Sequence, residues 1–149
     1  MIIVDANLLI YAVNSDSPDH KNARDWFEAL LSGNQSVGLP WIVLTAFIRI
    51  TTHPRILKNP LSTQEALEYI NEWLSQPYVV QLYPSKGNWA VFSHLLKRSG
   101  ARGNLTTDVQ IVALAIENGA AVYSADYDFR RFPEIEHVNP LDSNALNDR

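Results

Sequence analysis

A chain of 149 residues that is 46% apolar, carries a net charge of −4 and has no cysteine is long enough to bury one core without disulfides. The missing cysteines exclude zinc-finger, iron–sulfur and thiol chemistry and suit a reducing compartment. The longest apolar run, Leu39 to Ile48, stops at Arg49, well short of the ~20 residues a membrane span needs.

The chain opens on Ile2-Ile3-Val4-Asp5, with no basic leader, so no signal peptide is expected and the protein is expected to be cytoplasmic. Three β-branched residues in a row read as a short strand buried on both faces, of the kind found inside a parallel sheet. Its last residue is a carboxylate. Ligands bind outside the carboxyl ends of such strands, so Asp5 is placed either as part of a site or as the cap of a helix starting at Ala6. Ser17-Pro18 then predicts a helix start, and Ala23, Trp26, Phe27, Leu30 and Leu31 recur at helical spacing until Gly33. A strand is expected over 36–39 and a core helix from Trp41 to Ile50, followed by a loop with two prolines to Pro60. Ser62 and Glu65 have capping-box spacing, and Ala66, Ile70, Trp73 and Leu74 carry a helix towards Pro77.

Val79 to Leu82 is the next predicted strand, and Trp89, Phe92, Leu95 and Leu96 predict a helix from about Lys86 to Ser99. After a basic Gly-containing loop, Thr107 and Gln110 have the spacing of another capping box. The helix they open, with Val109 and the run Ile111 to Ile116, has almost no polar face and must be buried. Gly119 ends it, a strand runs from Ala120 to Ala125 and stops at Asp126, and Val138 marks a small edge strand. Alternation of this kind predicts a single α/β domain over 1–142, an α/β/α sandwich with a central, mostly parallel sheet, and a frayed tail over 143–149.

Charge is uneven along the chain. Between Arg49 and Arg102 there are seven basic and three acidic residues, so the two ends hold more than the whole net negative charge. This predicts an acidic centre built from the ends and a basic rim from the middle. Parallel strands present their carboxyl ends on one edge, so Asp5, Asp126 and Asp108, in the first turn of the buried helix, can converge there. Crowded carboxylates raise one another's pKa unless a cation sits among them. Oxygen ligands without Cys or a His pair favour Mg²⁺ or Mn²⁺. Each Asp also has an ordinary structural reading: a helix cap, a first-turn acid complementing the helix dipole, and a turn residue.

Asp5-Ala6-Asn7 after an apolar strand, Thr107-Asp108 opening an Ala-rich helix, and Ser124-Ala125-Asp126-Tyr127-Asp128-Phe129 together resemble a PIN domain, most closely the VapC-type toxins. Phe47-Ile48-Arg49-Ile50-Thr51-Thr52-His53-Pro54-Arg55 and Arg131-Phe132-Pro133 extend the likeness over nearly the whole chain. The resemblance implies a Mg²⁺-dependent endoribonuclease, with Mn²⁺ able to substitute, that forms a homodimer and is held inactive by a cognate antitoxin. It assigns metal binding and catalysis to Asp5, Asp108 and Asp126. The family's remaining acid maps onto Ala46, whose methyl group cannot ligate a metal; Asp128 is the expected stand-in.

In that reading the ion activates water for attack on an RNA phosphodiester. Asn7 and Ser124 hydrogen-bond to ligands, and Arg49, Arg55, Lys97, Arg98 and Arg102 steer phosphates. The expected substrate is single-stranded or looped RNA, because side chains cannot read the deep groove of a duplex. Trp41 and Tyr127 are expected in the core rather than on bases, and Trp26, Trp73 or Trp89 at a dimer surface. Three other readings compete. A metal-free ribonuclease would draw on His20, His53, His94 or His137, and a haloacid-dehalogenase-like phosphatase would need an acid where Asn7 stands. A degenerate PIN domain would bind RNA or a partner without cutting.

Overall fold

The computed structural model describes residues 1–142; the predicted tail, 143–149, lies outside the described residues. Its strands are β1 (Ile2–Val4), β2 (Val37–Pro40), β3 (Val79–Leu82), β4 (Ala121–Tyr123) and β5 (His137–Val138). The helices are α1 (Ala6–Val13), α2 (His20–Ser32), α3 (Trp41–Thr51), α4 (Thr63–Leu74), α5 (Asn88–Ser99) and α6 (Leu105–Asn118). The strands form one sheet in the order β3-β2-β1-β4-β5 with every pairing parallel, flanked by helices as expected of an α/β/α sandwich.

The strand order fixes the layers. The chain steps outward from β1 to β2 to β3, then crosses back over β1 to β4 and β5. Right-handed crossovers in opposite directions place α1 to α4 on one face and α5 and α6 on the other. Accordingly α1 packs on α2 and α3, α3 packs on α4, and α5 packs on α6. The reversal falls between β1 and β4, and at such a switch point the loops diverge and leave a crevice at the strands' carboxyl ends. Register aligns Val4 with Tyr123, so Asp5 and Ser124 emerge side by side at that crevice.

The central strands are apolar because both their faces are covered: Ile3, Val4, Leu39 and Val122 are fully buried. At Gly38 the approach is so close that an added Cβ would lie 2.6 Å from Leu82 Cδ1 and 3.1 Å from Met1 Sδ. On the α1–α4 face, Phe27 and Phe47 pack edge-on to Trp73, with ring centroids 5.4 and 5.0 Å away. The apolar run in α6 is buried as predicted from Val109 and Ile111 to Ala115, although Ile116 is partly exposed.

Two predicted helix starts are displaced. The Ser62–Glu65 capping box forms, with reciprocal bonds of 3.1 and 3.0 Å, but no Thr107–Gln110 box exists. Gly103, at φ 61°, turns the chain early, α6 begins at Leu105, and Thr107 already donates its N–H to the Asn104 carbonyl. Likewise Ser17-Pro18 belongs to a hydrogen-bonded turn, Ser17 N–H to the Asn14 carbonyl, and α2 starts at His20. Gly119 closes α6 at φ 59°, a left-handed conformation that glycine adopts without steric cost.

Candidate metal centre

The site is assembled by three local structures meeting at the switch point. Asp5 directly follows β1 and caps α1, its Oδ1 accepting the Ala6 N–H at 2.7 Å. Its other oxygen accepts the Ser124 hydroxyl at 2.6 Å. Ser124, fully buried just after β4, also accepts from Asn7 Nδ2 at 3.2 Å and from the Asp126 N–H at 3.0 Å. Asn7 Oδ1 accepts the Ala125 N–H at 3.3 Å. These bonds bind the β1–α1 junction to the loop after β4. Asn7 and Ser124, read from the sequence as ligand-facing, are therefore the internal brace of the site.

Asp126 caps the 3₁₀ turn Tyr127–Arg131, accepting the Asp128 N–H at 2.9 Å. This turn aims a second carboxylate the same way. Asp108 approaches from the first turn of α6. One carboxylate oxygen from each of Asp108, Asp126 and Asp128 can be chosen so that all lie within 4.8 Å of one another. Asp5 is not a member of that tight set. It lines the same cleft, of about 450 Å³, with Ala46 and Arg49 of α3. The set that the structure brings closest thus differs by one residue from the predicted Asp5, Asp108 and Asp126, with Asp128 in Asp5's place.

Electrostatics link all four acids. Burial pushes the Asp5 carboxyl up; the bonds from Ser124 and Ala6 oppose this, and the charge of Asp126 adds to it. Burial also raises Asp108, helped by the charges of Asp126, Asp5 and Asp128, to about 7. Such a pocket holds protons or a cation. The donors are hard oxygens close enough to share one ion, and the chemistry of the set fits Mg²⁺ or Mn²⁺.

Several other expectations change. Arg98 pairs with Glu134, donates to the Arg131 carbonyl and lies over the Phe132 ring, so it is already engaged. Trp41 and Tyr127 are 55% and 43% exposed rather than core. Of the three tryptophans proposed for a dimer surface, Trp73 is buried, Trp26 is half-buried against Tyr123, and Trp89 is 73% exposed. None of the histidines lines the acidic cleft. His20 and His137 bond the carbonyls of Tyr11 and Ser124, and His53 bonds the Arg55 N–H.

Comparison with known proteins places the fold in a family. The PIN domain family model matches residues 2–135, and the chain belongs to the PIN domain family. Within it, its relatives carry the name VapC. Ribonuclease VapC33 of Mycobacterium tuberculosis is 41% identical over 141 residues, covering 95% of this chain and 99% of that protein. Ribonuclease VapC37 of the same species is 36% identical, covering 94% and 97%. Among solved structures, VapBC2 from Rickettsia felis, bound to a promoter DNA fragment, aligns with a TM-score of 0.68 at 20% identity, covering 93% of this chain and 98% of that one. The M. tuberculosis VapC20 toxin aligns at 0.64 and 17%, covering 91% and 99%. At these identities the two structures speak for the fold alone.

Proposed function

We propose that this protein is a Mg²⁺-dependent endoribonuclease, the toxin of a type II toxin–antitoxin pair, with Mn²⁺ able to replace Mg²⁺. The single observation that carries this reading is the acidic cleft at the β1/β4 switch point. The names of the relatives support RNA as the substrate class. Asp5, Asp108 and Asp126 hold the ion, and Asp128 supplies the carboxylate that Ala46 lacks. When bound, the ion supplies positive charge to the phosphate and acidity to water. Asp126 or Asp128 orients the attacking water and takes up its proton. Ser124 and Asn7 keep Asp5 and the Asp126 loop in register, because a small displacement at a reacting centre is costly. Strands or loops of RNA suit the open cleft better than a duplex.

The same reading includes a cognate antitoxin as partner, a cytoplasmic setting and a homodimer. Among the described residues no helix is long and apolar enough to cross a membrane. The exposed Trp41 and Trp89 line a groove of about 480 Å³ between α3 and α5, with the exposed Tyr83 stacked on Trp41, and exposed apolar patches mark contact sites. We place the dimer contact there. Sedimentation of the Trp89→Ser variant is expected to show a monomer at concentrations where the parent is a dimer; an unchanged mass moves the contact elsewhere.

The absence of an acid at Ala46 specifically favours a second reading, a degenerate PIN domain that binds RNA or a partner without cutting. Asp5→Asn separates the two. Asn is as good a helix cap as Asp, so folding is retained while a metal-holding charge is lost. The parent is expected to cut labelled single-stranded RNA with Mn²⁺ and to stop on chelation, while the variant stays folded and inactive. If the parent binds RNA yet cuts none across a range of Mn²⁺ concentrations, the binding-module reading replaces this one.

A further inference from the structure

Among the described residues that line the acidic cleft, Arg49 is the only basic one. It lies in the last turn of α3, three residues after Ala46, and both border the cleft, since residues three apart share a helix face. Ala46 leaves open the space beside it that a longer acidic side chain would fill. The guanidinium is available: among the described residues the ion pairs are Arg24 with Asp25 and Arg98 with Glu134, and neither involves Arg49.

Charge balance gives this placement a consequence. The cleft contains the carboxylates of Asp5, Asp108, Asp126 and Asp128, and a polyanionic substrate must approach them. Had α3 carried an acid at position 46, a second ion would be the natural counter-charge. Here α3 presents a methyl group and a fixed cation. A guanidinium offers paired N–H donors in a planar fork that matches two phosphate oxygens.

We infer that Arg49 takes the place of a second cation: it binds the non-bridging oxygens of the reacting phosphate, and the cleft holds a single divalent ion. This rests on the ribonuclease reading and assigns Arg49 as a catalytic residue rather than one of several steering charges. The competing explanation is structural, because a cation in the last turn of a helix also complements the helix dipole.

The test compares parent, Arg49→Gln and Arg49→Lys. Calorimetric titration of the metal-free proteins with Mn²⁺ is expected to give one ion per chain in all three, with Arg49→Gln binding it more tightly because a repelling charge is gone. Under single-turnover conditions with single-stranded RNA, Arg49→Gln is expected to cleave on the order of 10²- to 10³-fold more slowly, as for loss of a transition-state donor. Arg49→Lys should recover part of that rate. A purely structural role would lower the melting temperature and leave the per-ion cleavage rate within a few-fold. That result, or two Mn²⁺ ions per parent chain, overturns the assignment while leaving the ribonuclease reading in place. A parent that cuts no RNA overturns both.

Discussion

Replacing Asp108 by Asn is expected to make the metal-free protein more stable and, at the same time, inactive. The Asp108 carboxyl is raised from 3.8 to about 7 by burial and by the charges of Asp126, Asp5 and Asp128. A group that holds its proton more tightly when folded stabilises the fold below its unfolded pKa, and that contribution is lost as pH rises through the folded one. The metal-free parent should therefore lose stability between about pH 4 and pH 7 or slightly above, and the variant should lose less. Because Asp108 is only half-buried, solvent screening moderates the size of this effect.

Metal binding reverses the comparison. A cation among the carboxylates offsets their repulsion and competes with the proton on Asp108, so Mn²⁺ should raise the parent's melting temperature more at pH 8 than at pH 5. The Asn variant should show little rise at either pH. Its cleavage rate should fall on the order of 10³-fold, about 4 kcal/mol of transition-state stabilisation. Thermal melts of both proteins over pH, with and without Mn²⁺, provide the check. A variant that melts below the parent at pH 8 without metal would show that the four acids are not in mutual conflict.

The largest expected effect on stability is at Phe47. It is fully buried in α3 and packs edge-on against Trp73. Truncation to Ala removes a ring that the surrounding sheet and helices cannot close over, at a cost of about 3–5 kcal/mol. Set against a typical total of roughly 5–15 kcal/mol, this is enough to unfold a substantial fraction at 37 °C. The loss also reaches the site, because the same helix sets Ala46 and Arg49 along the cleft. Chemical denaturation should show the midpoint falling with little change in slope; a loss below about 1 kcal/mol would mean that Phe47 is not central to this core.

Elements with strong local signals were legible in the sequence. The buried run at Ile2–Val4, the Ser62–Glu65 capping box and the end of α6 at Gly119 each depend on interactions within a few residues, and each stands where expected. The Thr107–Gln110 spacing forms no box because the same spacing occurs inside a helix once Gly103 has already turned the chain. The apolar neighbours of Trp41 favour a core position, but it stands at the first position of α3, where it is exposed.

By itself, the sequence determined the alternation of strands and helices and the placing of Asp5 directly after an apolar strand, because periodicity and chain order are local properties. The strand expected to run to Ala125, β4, ends at Tyr123, three residues before Asp126. Only the tertiary structure decided how those acids meet. The return crossover from β3 to β4 sets Asp5 beside Ser124, and the 3₁₀ turn then brings Asp128, rather than Asp5, into the closest group with Asp108 and Asp126. The arrangement of those charges depends on strand order, which joins residues more than a hundred positions apart and leaves no periodic trace along the chain.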